Sequence, residues 1–168
     1  KKMLKKKYLI KNQTITMDTH KTLILGIFGF GVVGARLNKV LNLTPSLNAT
    51  IKKVCIKHNK KKRNAPMELF TTDKQLLLND PEINVIVEMI DDADAAYEIV
   101  KTAFLNGKSV VSANKKMIAE HLPEFLELQQ QTGASVLYEA ACCASIPVIR
   151  NLEEYYDNDL LHSIHAVV

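Results

Sequence analysis

The feature that most constrains this chain is a glycine-rich segment placed directly after an apolar run. Residues 23–28 (LILGIF) predict a buried strand, and residues 29–34 (GFGVVG) follow at once. Apolar residues then recur at helical spacing, at Val32, Val33, Leu37, Val40 and Leu41. A strand, a GxGxxG turn and a helix in this order are typical of dinucleotide binding. Gly29 permits the tight turn, Gly31 lets a pyrophosphate approach the backbone, and Gly34 lets the helix pack closely. We therefore predict that the backbone amides and the helix dipole bind a dinucleotide's phosphates.

The rest of the chain alternates between strand and helix patterns. Strands are predicted over residues 49–56, 85–90, 109–111, 134–138 and 163–168. Helices are predicted over residues 74–78 with Asp73 as N-cap, 92–105, 117–131 with an interruption near Pro123, and 146–156, whereas residues 57–71 predict a polar loop. Strand–helix–strand units connect by right-handed crossovers, so we expect a doubly wound parallel α/β sheet. Ligands of such sheets bind beyond the carboxyl ends of the strands.

Composition and charge limit the partners of the chain. The 168 residues are 47% apolar, and they contain no apolar run of membrane-spanning length. The Lys-rich start lacks the apolar region of a signal peptide. We therefore expect a cytoplasmic protein. Residues 1–22 contain seven Lys and one Asp and carry a charge of +6, whereas the net charge of the whole chain is +4. This segment predicts a solvated basic lead-in before a domain over 23–168. We expect neither a nucleic-acid nor a membrane partner.

The three cysteines, Cys55, Cys142 and Cys143, predict reduced thiols and no disulfide framework. On an extended chain the adjacent pair would point in opposite directions, which makes the two sulfurs poor joint metal ligands.

The second strand indicates which dinucleotide binds. NAD-specific sites usually place Asp or Glu about 20 residues after the glycines, but no acidic residue occurs between Ala35 and Met67. Lys57 and His58 end the second strand instead, and residues 60–63 (KKKR) follow. A 2′-phosphate would be attracted there, so the sequence favours NADP(H), with NAD(H) as the alternative.

Four stretches of the chain together resemble the nucleotide-binding part of homoserine dehydrogenases. They are GIFGFGVVGARL (26–37), NVIVEMIDDAD (84–94), GKSVVSANKKMIAEH (107–121) and VLYEAACCASIPVIRNLEEYYDNDLLHSI (136–164). The resemblance implies a Rossmann-type NAD(P)-binding domain. It also implies reduction of aspartate 4-semialdehyde to homoserine with NAD(P)H, on the route to threonine and methionine.

The resemblance further implies residue roles. The pyrophosphate would be held by Gly29, Phe30, Gly31, Val32, Val33 and Gly34. Ile90 would pass near the nicotinamide, and Ser112, Asn114 and Lys115 match the family's (S/T)-x-N-K turn. Within this chain Lys115 is the candidate for a catalytic role, since the family's lysine at this position reaches the cofactor and substrate, whereas the family's main catalytic residues lie outside the matching stretches.

A sodium site is also implied, formed by Glu139 with the backbone carbonyls of Cys142, Ala144 and Ile146. The chain departs from the family's glycine-rich pattern at residues 142–145, where side chains restrict the backbone. It departs again at Asp91 and Asp92, where small or uncharged residues are frequent, and Asp92 is predicted to be a helix N-cap.

In the resembling family, the residues that bind homoserine and the catalytic lysine lie in a substrate domain after the last strand predicted here. We therefore expect a fragment that binds cofactor without turnover, from a parent that is a homo-oligomer and acts on an amino-acid semialdehyde. Three alternatives stay open. They are another Rossmann oxidoreductase acting on a small amino acid or semialdehyde, a nucleotide-sensing regulatory module, and a nucleic-acid-binding protein that uses residues 1–22 with steeply salt-dependent affinity.

Overall fold

The computed structural model describes residues 22–58, 63–144, 146–155, 163 and 165. Residues 1–21 of the basic lead-in and most of the strand predicted over 163–168 lie outside these residues. Within these ranges no helix combines the length and the apolar character that crossing a bilayer requires.

The described chain forms a six-stranded, wholly parallel sheet with helices on both faces. In chain order its elements are β1 (Leu23–Phe28), α1 (Val32–Leu43), β2 (Ala49–Cys55), β3 (Phe70–Thr71), α2 (Gln75–Leu78), β4 (Val85–Glu88), α3 (Ala93–Leu105), β5 (Ser109–Ser112), α4 (Lys115–Thr132), β6 (Val136–Leu137), α5 (Glu139–Cys143) and α6 (Val148–Tyr155). Short 3-10 turns cover Pro45–Leu47 and Met67–Leu69. The strand order is β3-β2-β1-β4-β5-β6, which is that of a Rossmann sheet, and the predicted fold class is confirmed.

Alternating residues of β1 supply two hydrophobic cores, one on each face of the sheet. Leu25 and Ile27 are buried with Val54 on the face covered by α1. Phe28 lies in the larger core on the other face, with residues of α3 and α4 such as Phe104 and Phe125, both fully buried. The two apolar faces fix the register of β1, because a one-residue slip would exchange its side chains between cores.

Three local predictions are wrong. The polar loop predicted up to residue 71 contains β3, a strand too short to give an alternating pattern, which pairs with β2. Pro123 does not interrupt α4, since it lies on the exposed face while Met117, Phe125 and Leu128 are buried along the same helix. The adjacent cysteines lie in α5 and not on an extended chain, which agrees with the helix preference of the alanines before them.

The capping residues predicted for two helix starts agree better with the structure. Asp92 is the N-cap of α3, and its carboxylate accepts a hydrogen bond from the Ala95 amide at 3.0 Å. Asp73 accepts from the Gln75 amide at 2.9 Å, although the N-cap residue of α2 is Lys74. These side chains satisfy amides that the first turn of a helix leaves unpaired.

Candidate functional site

The register of the sheet brings four strand ends to one line. Phe28 of β1 is paired with Cys55 of β2 and with Glu88 of β4, and Glu88 is paired with Ser112 of β5. The segments that follow these residues therefore leave the sheet side by side at its carboxyl edge. Between β1 and β4 the chain order reverses, which is where Rossmann sheets bind their ligands.

The turn between β1 and α1 contains two glycines that the fold itself requires. Gly29 has a φ of +93°, and a Cβ there would lie 2.8 Å from the Met89 carbonyl oxygen. A Cβ on Gly34 would lie 2.9 Å from the Gly29 carbonyl oxygen. Both distances are shorter than any normal contact, so only glycine fits at either position without a shift of the backbone.

Gly31 differs, because nothing lies within 4 Å of the position that its Cβ would occupy. Its φ of −84° is open to any residue. Packing therefore gives no reason for glycine at this position, whereas a ligand approaching the bare backbone does.

Gly31 is also the N-cap of α1, and the first turn of this helix is left open for an anion. Among the described residues no side chain caps it, and no acidic residue occupies its first turn. Val32 and Val33 are exposed. Unpaired amides and the positive end of a twelve-residue helix thus face the carboxyl edge of the sheet, an arrangement that favours a phosphate.

Basic and aromatic residues lie beyond β2. Lys57 and His58 are exposed at its end, while residues 60–62 fall outside the described ranges. The Arg63 guanidinium donates to the His58 carbonyl oxygen at 2.9 Å and lies 5.3 Å from the ring centre of Phe70. Phe70 in turn packs edge-on against Phe30, with ring centres 5.0 Å apart. Arg63 is thereby linked through Phe70 to Phe30 of the glycine-rich turn.

A buried carboxylate joins the turns that follow β4 and β5, and the sequence patterns did not predict its role. Glu88 is fully buried, and its Oε1 accepts from the Ile90 amide at 2.7 Å. Its Oε2 accepts from the Ser112 hydroxyl at 2.6 Å. Burial is the largest influence on this carboxyl and raises the pKa of Glu88, against the lowering effect of its two hydrogen bonds. The signal in the sequence was a lone acidic residue within an apolar strand.

The predicted (S/T)-x-N-K turn continues this network. The Ser112 hydroxyl accepts from the Asn114 amide at 3.1 Å, and the Asn114 side chain donates to the Ile90 carbonyl at 3.1 Å. Asn114 is buried and also caps α4, since its side-chain oxygen accepts from the Met117 amide at 2.9 Å. Lys115, the first residue of α4, is exposed.

The residues predicted for a sodium site lie at the end of β6. Both oxygens of Glu139 accept backbone amides of α6, from Ile149 at 3.0 Å and from Arg150 at 2.9 Å. The Ile146 carbonyl accepts from the Val148 amide at 2.8 Å. Ala144 has a φ of +54°, a conformation that glycine adopts more easily. Across the described residues, no three His, Cys, Asp or Glu side chains converge on one point, so an ion here would depend on backbone oxygens.

The structure therefore separates the predicted residues into three groups along one edge. Gly29, Gly31 and Ile90 meet at the point of chain reversal, with Asn114 beside them. Lys57 lies to one side of them at the end of β2, and Glu139 lies to the other side beyond β6.

Two grooves beside α1 are not part of this arrangement. One is lined by residues such as Leu41, Asn48 and Thr50, at the amino end of β2, and the other by residues of α1 with Asn64. Neither groove is lined by a predicted site residue.

Comparison with known proteins gives the family. The family model described as "Homoserine dehydrogenase, NAD binding domain" matches residues 29–139. The homoserine dehydrogenase of Synechocystis sp. is 32% identical over 154 residues, which are 88% of this chain and 36% of that protein. That of Bacillus subtilis is 30% identical over 157 residues, with the same two shares.

A solved structure agrees with the sequence comparison. The crystal structure of a homoserine dehydrogenase from Thiobacillus denitrificans matches with a TM-score of 0.73 and 32% identity, and covers 80% of this chain and 33% of that one. The chain thus spans about a third of the length of the relatives that it matches. The resemblance drawn from the sequence is confirmed: the chain belongs to the homoserine dehydrogenase family, and the part of the family that it matches is the NAD-binding domain.

Proposed function

We propose that this chain binds NAD(P)H across the point of chain reversal, with the pyrophosphate on the first turn of α1. The observation that carries the proposal is Gly31, where the fold leaves open space beside unpaired helix amides. The adenosine half would lie towards Lys57, and the nicotinamide half towards Ile90 and the 112–115 turn. The residues named for the pyrophosphate are Gly29, Phe30, Gly31, Val32, Val33 and Gly34.

Titration calorimetry of this chain with NADPH and with NADH tests the proposal. We expect binding of both, and a loss of at least about tenfold in affinity in Gly31→Val, because the new side chain fills the space of the phosphate. Gln130→Val, near the far end of α4, is the matched control and should bind as the wild type does. A folded wild-type chain that ignores both nucleotides at millimolar concentration would refute the proposal.

We infer a preference for NADP(H) from the charge beyond β2. Exposed Lys57 and His58 stand where NAD-specific sites carry an acid, and no acidic residue occurs between Ala35 and Met67. Lys57→Glu should weaken NADPH binding far more than NADH binding. Lys39→Glu, an equal charge change on the exposed side of α1, should leave the ratio of the two affinities unchanged. Equal losses for both nucleotides in Lys57→Glu would remove the inferred preference.

The protein that contains this chain would interconvert aspartate 4-semialdehyde and homoserine, in threonine and methionine biosynthesis. The support is the family and the site, since the chain spans about a third of its relatives. Lys115 would direct its cation at the substrate or cofactor, so Lys115→Met should lower kcat of the whole enzyme by about a hundredfold. We also propose a cytoplasmic homo-oligomer, a location that fits the free thiols of Cys55, Cys142 and Cys143.

A sodium ion at the backbone oxygens of Cys142, Ala144 and Ile146 remains part of the proposal. The Glu139 carboxylate has lone pairs beyond those used by the two amides of α6, so it can still face a cation. Sodium that binds the folded chain should raise its melting temperature relative to choline chloride at equal ionic strength. Equal melting temperatures in the two salts would exclude the site.

A further inference from the structure

Glu88 is unusual because the fold keeps an acidic side chain fully buried in the middle of its sheet. Removing a carboxylate from water is costly unless hydrogen bonds replace the lost solvent. Here each carboxylate oxygen has one partner, and the two partners belong to different turns. The buried carboxylate thus adds side-chain hydrogen bonds between two segments whose backbones the pairing of β4 with β5 already brings together.

Three hydrogen bonds connect residues 88–90 to residues 112–114. The Ala113 amide donates to the Glu88 carbonyl oxygen at 3.0 Å, which continues the strand pairing. The Ser112 hydroxyl donates to the Glu88 side chain, and the Asn114 side chain donates to the Ile90 carbonyl. A fourth bond, from the Ile90 amide to Glu88, closes the first turn on itself. Networks of this kind hold their members in one arrangement.

The position of the network gives its role. The 88–90 turn touches the glycine-rich turn, since the Met89 carbonyl oxygen and the Ile90 side chain border Gly29. The pyrophosphate site therefore adjoins one side of the network, and Lys115 adjoins the other. In a sheet of this strand order, the nicotinamide half of a dinucleotide extends over β4 and β5.

We propose that Glu88 is a positioning residue for the nicotinamide half of the cofactor, because it fixes the separation between the 88–90 and 112–114 turns. The proposal rests on the proposed function and deepens it. Glu88 does not touch the cofactor. It acts through Ile90, whose amide it binds, and through Ser112 and Asn114.

The test compares NADH with ADP-ribose, which has the pyrophosphate but no nicotinamide. The wild-type chain should bind NADH more tightly than ADP-ribose. In Glu88→Gln the side chain has one acceptor oxygen in place of two, so either the Ser112 hydroxyl or the Ile90 amide loses its acceptor and the network loosens. We expect NADH affinity to fall about tenfold while ADP-ribose affinity stays within about twofold.

Lys108→Met is the matched control, because it removes a buried charge at the opposite edge of the sheet. Lys108 precedes β5, and its ammonium donates to the carbonyl oxygens of Asp80 and Ile83. Its loss should lower the free energy of unfolding but leave the ratio of NADH to ADP-ribose affinity unchanged. A merely structural role for Glu88 predicts that Glu88→Gln behaves in the same way.

The outcomes separate the two proposals. If the wild type binds neither ligand, the proposed function fails and this inference falls with it. If the wild type binds both equally, or Glu88→Gln weakens both equally or neither, the inference alone is wrong. Should Glu88→Gln fail to fold, Ser112→Ala removes the same connection from the other turn and must show the same selective loss of NADH.

Discussion

The glycines of the first turn show how a single residue type serves two purposes. Gly29 is required by its φ of +93° and by the nearby Met89 carbonyl, whereas Gly31 has a negative φ of −84° and open space around the position of a Cβ. Gly29→Ala should lower the free energy of unfolding by about 1–3 kcal/mol. Gly31→Ala should change it by less than about 0.5 kcal/mol and still weaken NADPH binding. Urea denaturation and calorimetry measure the two effects, and equal destabilisation by both substitutions would contradict this division.

Glu88 makes stability depend on pH in a direction that its burial fixes. Burial raises the pKa of Glu88 above its ordinary 4.5, so the folded chain holds this proton more tightly than the unfolded chain. The contribution of the protonated Glu88 carboxyl to the free energy of unfolding is present in full below pH 4.5, and it is lost as pH rises through the pKa that Glu88 has in the folded chain. The free energy of unfolding of the wild type, minus that of Glu88→Gln, should therefore fall between pH 4 and pH 8.

Urea denaturation of both proteins at one-unit pH intervals measures this difference. Asp80 and Glu124, whose pKa values are lowered mainly by hydrogen bonds to Lys52 and Lys101, change stability in the opposite direction. Their effect is common to both proteins and cancels in the difference. A difference that is flat or rises with pH would show that burial does not control the Glu88 carboxyl.

At the scale of elements, the sequence predicted what depends on long apolar patterns and capping side chains. β1 and β4 were found because each is an apolar run whose residues are mostly buried, and α3 was found through Asp92 at its start. β2 is mostly half-buried, and it was found from the apolar residues Ile51, Val54 and Ile56. β3 has two residues and pairs only through β2, so its existence depends on tertiary contacts that no local pattern records. The same limit applies to the site. The glycine-rich turn is local in sequence, whereas the Glu88–Ser112 contact joins residues 24 positions apart.

α4 shows how packing overrides a local preference. Pro123 lacks the amide that would bond to the preceding turn, yet the helix runs unbroken from Lys115 to Thr132. Buried side chains on both sides of the proline, Met117 and Phe125, hold the helix against α3 and the sheet.

Pro123→Ala should stabilise the protein, because it restores the missing hydrogen bond on an exposed face. We expect the free energy of unfolding to rise by about 1–3 kcal/mol. Gln130→Ala, also exposed on α4, controls for helix propensity alone and should change stability by less than about 0.5 kcal/mol. Denaturant unfolding distinguishes the two, and a loss of stability in Pro123→Ala would mean that the proline sets a bend that packing needs.

At the scale of the whole molecule, charge is distributed unevenly around the site. Residues 35–67 contain basic side chains and no acidic one, while Asp91, Asp92 and Asp94 lie by the turn between β4 and α3. The 2′-phosphate of NADP(H) adds negative charge at the adenosine end only. In the binding mode proposed above that end lies over β2, and the inferred preference predicts that the field of the molecule there attracts a phosphorylated ribose.

Screening by salt tests this electrostatic origin of cofactor preference. Lys57 and His58 are exposed, so ions reach them, and the Debye length falls from about 30 Å at 0.01 M to about 3 Å at 1 M ionic strength. The ratio of NADPH to NADH affinity should therefore fall about three- to tenfold between 20 mM and 500 mM KCl. Potassium is used so that a sodium site does not enter the measurement. In Lys57→Glu the ratio should start lower and fall less. A wild-type ratio that does not change with salt would mean that shape, and not charge, selects between the two nucleotides.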